Sequence, residues 1–401
     1  MRDELLGRPV TDRDWVVVGA TPQMMVASGY RPVGRDFPVF LHPDSHEEYA
    51  LARTERKSGT GYRGFAFFAS PEVTLEDDLA RRDLTINAMA RADDGTLVDP
   101  HGGQRDLAAG VLRHVSTAFA EDPLRVLRVA RFAARFGFRV APSTRSLMRR
   151  LADSGELATL STERVWTELA TGLREATPSR MFAVLRGCGA LAALLPEVDA
   201  AWGESASPSA RMRRILRALD IAAAGGATEP VRYAILAHDL GSLPAETPLG
   251  ATAARRRADA MSARLKVPLE ARDLAGLAAR FRYRLDAAVS LTPALWLELI
   301  EATDALRRPE RLDQLVAVGT AMHAAGKHRD RSYAAQAAAY GALAAVRSVD
   351  AAKIAAAVEA LPGRARGERI AAELRRARLA ALRRWKAANG QASRGRQRSR
   401  P

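Results

Sequence analysis

The pattern of apolar and polar positions divides the chain into two regions. Residues 1 to about 112 carry short apolar runs separated by glycine, proline and charged residues, a pattern typical of strands. The runs are Trp15–Val18, Val39–Leu41, Tyr49–Ala52 and Gly64–Ala69. From about Ser116 to about Leu361, apolar positions recur at helical spacing and alanine is abundant. The pattern therefore predicts an α+β head with a small mixed sheet and helices, followed by an all-α remainder.

Local signals mark boundaries within the helical region. Ser161 is a preferred N-cap residue and Glu163 falls in the favourable first turn, so a helix is predicted to begin there. Proline residues mark the connections between later helices. The segment Asn389–Pro401 is rich in Gly, Ser, Arg and Gln, and we expect it to be disordered.

Composition and charge indicate the kind of partner and the cellular compartment to expect. The 401-residue chain has a net charge of +15 and a pI of about 10.7, which favours nucleic acid as the partner. From Gly363 onward, thirteen Arg and Lys stand against two Glu, so the tail carries most of the excess charge. The single cysteine, Cys188, excludes an internal disulfide framework. No apolar run is long enough to span a bilayer and the N-terminus is no signal peptide, so we expect a cytoplasmic protein without a membrane partner.

The most informative polar positions are two aspartates ahead of the first apolar run. Asp12 and Asp14 are separated by one residue, so in a strand their carboxylates lie on the same face. Like charges held this close repel unless a cation lies between them, and Mg²⁺ prefers carboxylate oxygens. The pair therefore indicates a two-metal phosphoryl-transfer site. An Asp-x-Asp triplet alone is more often a solvated turn, so this interpretation depends on the clusters that follow.

A second charged cluster spans residues 76–88. In its simpler interpretation it is an exposed helix end with opposite charges four residues apart, such as Asp78 with Arg82. In its functional interpretation Arg82 presents a fork of donors to triphosphate oxygens, and Asp83 accepts a hydrogen bond from a ribose hydroxyl. The pattern alone favours the simpler interpretation.

A third cluster begins around Pro123, which a helix tolerates in its first turn. On a helical wheel of about 100° per residue, Arg125, Arg128 and Arg131 share one arc and apolar residues fill the opposite arc. Asp122 and Arg125 face the same spot and offer the acceptors and donors that reading a base edge requires. An arginine stripe is most often a solvated face. Three arginines without acids on that face repel one another, however, so we expect an anionic ligand.

Together the three clusters resemble the bacterial CCA-adding tRNA nucleotidyltransferases, members of the class II nucleotidyltransferase superfamily that also contains the bacterial poly(A) polymerases. The resemblance extends from Arg2 to about Ala201. It rests on residues 12–15, 34–41, 47–59, 81–83 and 121–132. The resemblance implies a nucleotidyltransferase head followed by an all-α neck, body and tail.

The resemblance also assigns roles to individual residues. Asp12 and Asp14 would hold the catalytic Mg²⁺ ions. Asp83 would meet the ribose of the incoming nucleotide, and Asp122 with Arg125 would act as an amino-acid template for C and A. The arginines that would contact the nucleotide are Arg2, Arg82, Arg128 and Arg131.

Two further features carry over from the family. Glu48 is a candidate third acidic residue, and residues 56–61 correspond to the flexible loop that the family uses in switching from C to A. The implied reaction is attack of the tRNA 3′-hydroxyl on the α-phosphorus of CTP or ATP, with pyrophosphate leaving. The implied partners are the tRNA 3′ end, ATP and CTP, with Mg²⁺ as the cofactor.

The sequence departs from the family pattern at two places. The family has a strand and a Gly-Gly ahead of the Arg-Asp that stands here as Arg2-Asp3, and the sequence begins without them, so we expect reduced stability and activity. Residues 233–241 resemble the metal-binding core of an HD phosphohydrolase domain, but the further histidines of such a site are missing. We therefore expect His238 and Asp239 to form a satisfied structural pair without metal, and we expect no phosphohydrolase activity.

The expected organisation has four segments. These are a catalytic head over 1–115, a helical neck and body over 116–225, a helical HD-like region over 226–361 and a basic, partly disordered tail over 362–401. The neck and body are expected to bind the nucleotide base and tRNA. Two other functions stay open: a poly(A) polymerase with the same head, and an RNA-binding protein with an inactive head.

Overall fold

The computed structural model of the chain divides into two compact units, Met1–Asp199 and Ala200–Pro401. The structure describes residues 1–10, 13–33, 39–57, 65–241, 247–326, 333–357 and 363–398. The first unit contains a small mixed sheet together with helices, and the second is helical throughout its described residues. The α+β fold class expected from the sequence is therefore confirmed. The four-segment organisation stays a prediction.

A four-stranded mixed sheet forms the centre of the head. Its strands are β1 (Asp14–Val17), β2 (Arg31–Pro32), β3 (Val39–Leu41) and β4 (Glu48–Leu51). They lie in the order β1-β4-β3-β2, with β1 parallel to β4 and the other neighbours antiparallel. Three of the four apolar runs in the sequence thus form the predicted strands.

One face of this sheet is buried under helix α2 (Pro22–Ala27). The helix begins at Thr21, whose side chain accepts a hydrogen bond from Met24 N at 3.2 Å. The buried core consists of Met25, Phe40 and Leu51, with Val17 and Tyr49 packed against it. Successive side chains of a strand alternate between faces, so the first residues of β1 and β4 lie on the opposite face.

Short elements complete the head. They are α1 (Arg2–Leu5), β5 (Thr54–Lys57), β6 (Phe65–Phe68), α3 (Leu75–Ala80), β7 (Ala90–Arg91), β8 (Leu97–Val98), α4 (Gly103–Ala108) and β9 (Val111–Leu112). β5 and β6 form an antiparallel hairpin that contains the fourth predicted run. Residues 58–61 of the expected flexible loop lie outside the described residues. A capping box between Thr74 and Asp77 starts α3.

The first unit continues with the helices that carry the third charged cluster. They are α5 (Leu124–Phe136), α6 (Pro142–Asp153), α7 (Thr162–Arg174), α8 (Ser179–Gly187) and α9 (Ala190–Leu194), with β10 (Arg139–Val140) paired to β9. Ser161 caps α7, as predicted. The apolar arc of α5 is buried against α7 and α8, also as predicted. Arg125 and Arg131 are buried too, at 7% and 9% exposure, because α5 lies inside the unit rather than on its surface.

The second unit is an array of helices. After α10 (Pro196–Trp202), these are α11 (Ala210–Ala224), α12 (Glu229–Ala237), α13 (Pro248–Arg264), α14 (Leu269–Asp286), α15 (Pro293–Ala302), α16 (Pro309–Ala324), α17 (Ala334–Arg347), α18 (Ala351–Ala356) and α19 (Gly363–Arg398). α14 is the central helix and packs against α12, α13 and α16. Among the described residues, no helix combines the length and apolar character that crossing a membrane requires.

The last helix corrects one expectation about the tail. Helix α19 continues to Arg398, whereas composition predicts disorder from Asn389. Ala, Arg and Gln, which make up six of residues 389–398, are good helix formers, and extending an existing helix avoids the cost of nucleation. The helix is anchored earlier, where Trp385 meets the Trp296 ring edge-to-face at a centroid distance of 5.9 Å. The tail is therefore in part a packed helix of the second unit.

Candidate active site

Two carboxylates lie side by side on the face of the sheet opposite α2. Asp14 of β1 and Glu48 of β4 are register partners on parallel strands, whose axes run about 4.8 Å apart. Both residues are exposed. The candidate third acidic residue thus lies next to Asp14. Asp12 lies outside the described residues, among which no group of three or more His, Cys, Asp or Glu could hold a metal ion.

Asn87 joins three of the predicted nucleotide-binding residues. It ends a 3₁₀ turn, Thr85–Asn87, just after the Arg82-Asp83 pair. Its side-chain oxygen accepts a hydrogen bond from Arg2 Nη1, and its Nδ2 donates to Asp83 Oδ1 at 2.8 Å. Its backbone oxygen accepts from Arg82 Nη1 at 3.2 Å. One asparagine therefore fixes Arg2, Arg82 and Asp83 relative to one another.

Asp83 is a buried anchor for Arg128. Its side chain is 5% exposed, and its Oδ2 accepts a hydrogen bond from Arg128 Nε at 2.7 Å. Its Oδ1 also accepts from Leu84 N at 2.8 Å. Burial opposes ionisation, but Arg128 and Asn87 outweigh it, so the pKa of Asp83 lies below its ordinary value. The carboxylate is therefore charged, and protein donors engage both of its oxygens.

Asp78 holds Arg82 from the other side. Its Oδ2 accepts from Arg82 Nη2 at 3.1 Å, so the ion pair predicted at a spacing of four residues is confirmed. Its Oδ1 accepts from Arg81 Nη2 at 2.6 Å and from Arg53 N at 3.4 Å. Unlike the exposed pair expected from the pattern, Asp78 is buried. Burial opposes ionisation, but the two arginines outweigh it and lower the pKa of Asp78.

Glu168 of α7 pairs with the next arginine of α5. Its Oε2 accepts from Arg131 Nε at 2.6 Å, and its Oε1 lies 3.9 Å from Arg128 Nη1. Glu175 Oε1 lies 3.8 Å from Arg131 Nη1. The repulsion among these arginines that the sequence predicts is therefore relieved within the protein. Acids from other elements, including Asp83, neutralise the arginine stripe before any ligand binds.

Helix α1 brings Arg2 onto this stripe. The guanidinium of Arg2 lies over the Phe132 ring, 4.9 Å from its centroid. The neighbouring Asp3 accepts a hydrogen bond from Arg135 Nη2 at 3.0 Å and so ties α1 to α5. Burial lowers the pKa of Arg2. We refer to the connected set as the arginine network, which comprises Arg2, Arg82, Arg128, Arg131, Asn87, Asp83 and Glu168.

The predicted base-reading residues lie at the start of α5. Asp122 Oδ1 accepts from Leu124 N at 3.1 Å, and its Oδ2 accepts from Arg164 Nη2 at 2.8 Å. Arg125 Nη1 donates to the backbone oxygen of Ala118 at 2.8 Å. The structure thus holds Asp122 and Arg125 through protein contacts of their own.

Comparison with known proteins identifies the head and the relatives of the whole chain. Residues 1–113 match the family model of the poly A polymerase head domain, and residues 137–202 match that of the probable RNA and SrmB-binding site of polymerase A. The multifunctional CCA protein of Aromatoleum aromaticum is 55% identical over 390 residues, which cover 93% of this chain and 95% of that protein. The chain belongs to the multifunctional CCA protein family. It is a nucleotidyltransferase of the CCA-adding kind.

A second relative agrees with this assignment, and solved structures show the same fold. The multifunctional CCA protein of Chromobacterium violaceum is 56% identical over 328 residues, which cover 79% of this chain and 80% of that protein. The CCA-adding enzyme of Bacillus stearothermophilus in complex with CTP has the same fold, with a TM-score of 0.64 at 23% identity, over 100% of this chain and 93% of that one. A CCA-adding enzyme with ATP matches at a TM-score of 0.61 and 21% identity, over 94% and 83% of the two chains.

Three residues of this family member were not assigned a role from the sequence. Asn87 connects Arg2, Arg82 and Asp83. Arg164 binds Asp122 just ahead of α5, and Glu168 binds Arg131 in the middle of α5. Arg164 and Glu168 are four residues apart on α7, so they share one face of that helix. This spacing is the sequence signal that could have indicated a shared contact face on α7. It does not show which helix the face meets.

The second unit of this multifunctional CCA family member contains a separate charged group, the His238 cluster, made of His238, Asp239, Arg282, Tyr283 and Asp286. His238 is fully buried; its Nδ1 lies 2.9 Å from Ile235 O, and its Nε2 has no partner among the described residues. Tyr283 donates to Asp239 Oδ2 at 2.6 Å. The expectation of a satisfied pair is therefore wrong for His238 Nε2, because His238 is buried at the C-terminal end of α12, where this nitrogen meets no hydrogen-bond partner among the described residues.

The His238 cluster does not fit a divalent metal. Fully buried Arg282 is close enough to lower the pKa of His238 to about 3, together with the larger effect of burial. A fixed guanidinium charge beside the imidazole opposes a divalent cation there. A His-Asp pair also supplies too few ligands for a stable transition-metal site. The absence of phosphohydrolase activity stays a prediction.

Proposed function

We propose that this protein adds CCA to the 3′ end of tRNA, using CTP and ATP and releasing pyrophosphate. The observation that carries the proposal is that one unit combines the Asp14–Glu48 carboxylate pair with the arginine network. Carboxylates bind divalent cations and arginines bind polyphosphates, so the two groups together suit nucleotidyl transfer. The relatives' name, multifunctional CCA protein, supports the specific product.

The carboxylates are the proposed site of the metal. The family belongs to a superfamily that uses divalent cations, and we assign Mg²⁺ to Asp12 and Asp14, with Glu48 beside them. When bound, the metal would lower the pKa of the tRNA 3′-hydroxyl and neutralise charge on the pyrophosphate. The exposed, water-accessible position of Asp14 and Glu48 fits an ion that keeps some of its own waters and binds substrate phosphates.

The arginine network is the proposed site of the triphosphate. Arg2, Arg82, Arg128 and Arg131 would contact the incoming nucleotide, as the resemblance implies. Protein contacts already hold each guanidinium in place, Arg82 through all three of its nitrogens, so the four groups are preorganised for phosphate oxygens. Asp83 is buried and bonded to protein donors on both oxygens. We therefore assign Asp83 the positioning of Arg128 rather than direct contact with the ribose.

Base selection is assigned to Asp122 and Arg125. A carboxylate accepts from the amino group of cytosine or adenine, whereas uracil and guanine present a carbonyl oxygen at the corresponding edge. Arg125 supplies donors for ring or carbonyl acceptors. A uracil or guanine carbonyl oxygen would instead place one acceptor against the acceptor of Asp122, which disfavours the wrong base.

The remaining assignments concern the substrate RNA and the compartment. We propose that the four segments 1–115, 116–225, 226–361 and 362–401 act as catalytic head, neck and body, HD-like region and basic tail. The tRNA would be held by shape and backbone through the basic helical surface. We place the protein in the cytoplasm, where tRNA is processed.

The test is incorporation into tRNA that lacks its 3′ end, with labelled CTP, ATP, GTP or UTP supplied singly and together. We expect addition to stop after three nucleotides, C, C and A. Continued addition of A would instead identify a poly(A) polymerase, and no addition would identify an RNA-binding protein. Asp14→Ala should lower the rate at least about 1,000-fold, since it removes a metal ligand. The control Asp93→Ala, in an exposed turn, should leave it unchanged.

A further inference from the structure

We propose that Arg164 is a specificity-determining positioning residue, which fixes the direction in which the Asp122 carboxylate accepts a hydrogen bond from the base. This inference rests on the base-selecting role proposed above for Asp122. Arg164 would not touch the nucleotide's reacting atoms. It would act by holding Asp122 in one orientation before the nucleotide arrives.

The Asp122 carboxylate needs two contacts to be held in a single orientation. Asp122 lies at the junction between a 3₁₀ turn, Thr117–Glu121, and α5. Its Oδ1 accepts from Leu124 N at 3.1 Å, which is one of the otherwise unpaired N–H groups at the helix start. A single contact of this kind lets the carboxylate pivot about Oδ1. A second contact is needed to define where Oδ2 points.

Arg164 supplies that second contact. Its Nη2 donates to Asp122 Oδ2 at 2.8 Å, a charge-assisted bond between residues 42 positions apart. The two side chains are each 23% exposed, so a nucleotide base can approach the carboxylate. A carboxylate oxygen has two lone-pair sites, so Oδ2 can accept from Arg164 and from a base amino group together.

The helix that carries Arg164 is itself well placed to define this direction. α7 packs against α5 and is capped by Ser161, which accepts from Arg164 N at 3.4 Å. One turn later, Glu168 binds Arg131 on the same helix α5. α7 thus supplies the arginine of one ion pair, Arg164 with Asp122. It supplies the carboxylate of the other, Glu168 with Arg131. The two opposite pairs fix the register of α7 along α5.

The consequence for selectivity follows from hydrogen-bond geometry. The discrimination between an amino group and a carbonyl oxygen requires that the acceptor lone pair point at the base edge. If the Asp122 carboxylate could rotate, it would turn towards water and make no hydrogen bond to the base edge. Loss of Arg164 should therefore weaken binding of correct nucleotides more than it slows the chemical step, and should reduce discrimination.

The experiment measures kcat and KM for CTP and for UTP with the full-length protein, for Arg164→Met, Arg164→Lys and Asp122→Ala. We expect Arg164→Met to lower the CTP-to-UTP ratio of kcat/KM at least about tenfold, chiefly through a higher KM for CTP. Arg164→Lys keeps one donor and should restore part of the ratio. Arg174→Met, an exposed arginine on the same helix, is the matched control and should keep the ratio of the unmodified protein.

The outcomes separate this inference from the function on which it rests. If Asp122→Ala lowers the ratio and Arg164→Met does not, the role of Arg164 is refuted and the base-selecting role of Asp122 stands. If neither variant alters the ratio, base selection by Asp122 fails as well. In the double variant Asp122→Ala/Arg164→Met, the two losses should not multiply, because both remove the same contact. Multiplying losses would contradict the proposal.

Discussion

The arginine network of the first unit and the His238 cluster of the second unit use similar side chains in opposite ways. In the network, Arg128 is about one-third exposed and shares its carboxylate partner Asp83 with Asn87. In the cluster, Arg282 and His238 are fully buried. Both groups combine arginine with acids, but only the first has guanidinium surface that a ligand can reach.

The difference shows how burial and pairing together separate a binding site from a structural cluster. Paired, partly exposed arginines are held in position at modest cost and keep donors for phosphate. The buried cluster has no such donors to offer a ligand. Arg282 pairs with Asp286 at 3.0 Å and its guanidinium lies 3.5 Å from the centre of the Tyr283 ring, but its Nε and Nη2 find no hydrogen-bond partner among the described residues. Charged residues in the sequence therefore indicate a site only where the fold leaves them accessible.

The largest effect expected within this comparison is a loss of activity on replacing Asp83 but not its counterpart Asp239. Asp83→Asn removes the charge that holds Arg128, so we expect kcat/KM for CTP to fall about 100-fold, equivalent to about 2.7 kcal/mol. Asp239→Asn should leave kcat/KM within about twofold, since the His238 cluster is not assigned to the reaction. Steady-state nucleotide incorporation measures both. Equal losses in the two variants would contradict the conclusion that only the arginine network serves the reaction.

The next effect is on the pH dependence of stability. Burial and Arg282 lower the pKa of His238 to about 3, whereas in the unfolded chain it titrates near 6.5. Below pH 6.5 the unfolded state therefore binds a proton that the folded state does not. The contribution is fully present above that pH and is lost as the pH falls towards 3. The free energy of unfolding should drop by about 1.4 kcal/mol per pH unit, or about 2 kcal/mol by pH 5.

Substitution of the histidine checks this directly. In urea unfolding followed by tryptophan fluorescence, the free energy of unfolding of His238→Leu should fall by about 2 kcal/mol less between pH 6.5 and 5 than that of the unmodified protein, so its slope with pH should be shallower. His323→Leu, a histidine that is not fully buried, is the control and should keep the slope. An unchanged slope in His238→Leu would assign the pH dependence to other groups.

A smaller effect is expected when the network loses its second carboxylate. Glu168→Gln removes the charge that holds Arg131 and lies near Arg128, so both arginines are positioned less firmly. We expect kcat/KM for CTP to fall about tenfold. Glu76→Gln, in the exposed first turn of α3, serves as the control and should have no effect. If Glu168→Gln matched its control, the positioning role of Glu168 would be wrong.

The smallest effect is expected from Arg282→Met. A methionine has similar volume and removes a guanidinium with two unpaired nitrogens, so the free energy of unfolding should change by less than about 1 kcal/mol. The variant should also raise the pKa of His238, because a lowering charge is gone. Urea unfolding measures the first and NMR titration of the histidine measures the second. A large loss of stability would mean that the Arg282–Asp286 pair holds the core together.

Some elements could be predicted from the sequence because their signals are local. The strands β1, β3 and β4 and the Ser161 cap follow from runs and residue types that act within a few positions. The two-residue strands β7 and β8 carry too few positions for a period and were not predicted. The disorder expected from Asn389 was wrong, because composition does not register an upstream helix that extends through the segment.

In the candidate site too, residues with a local signal could be predicted, whereas contacts between distant residues could not. Asp14, Arg82 and Arg128 were singled out from short motifs and a resemblance to a family, and their roles stay proposals. The sequence also determined the α+β head, the helical remainder and the CCA-adding family, since each depends on residue type and short-range order.

Only the tertiary structure decided which acid meets which arginine. Asp83 and Arg128 are 45 residues apart, Arg131 and Glu168 are 37 apart, and Asp122 and Arg164 are 42 apart. No periodicity within one helix or strand links positions at such separations. The packing of α5 against α7 brings the last two pairs within hydrogen-bond distance, whereas Asp83 reaches Arg128 from the segment that follows α3. Burial then determines which guanidinium groups remain available to a nucleotide.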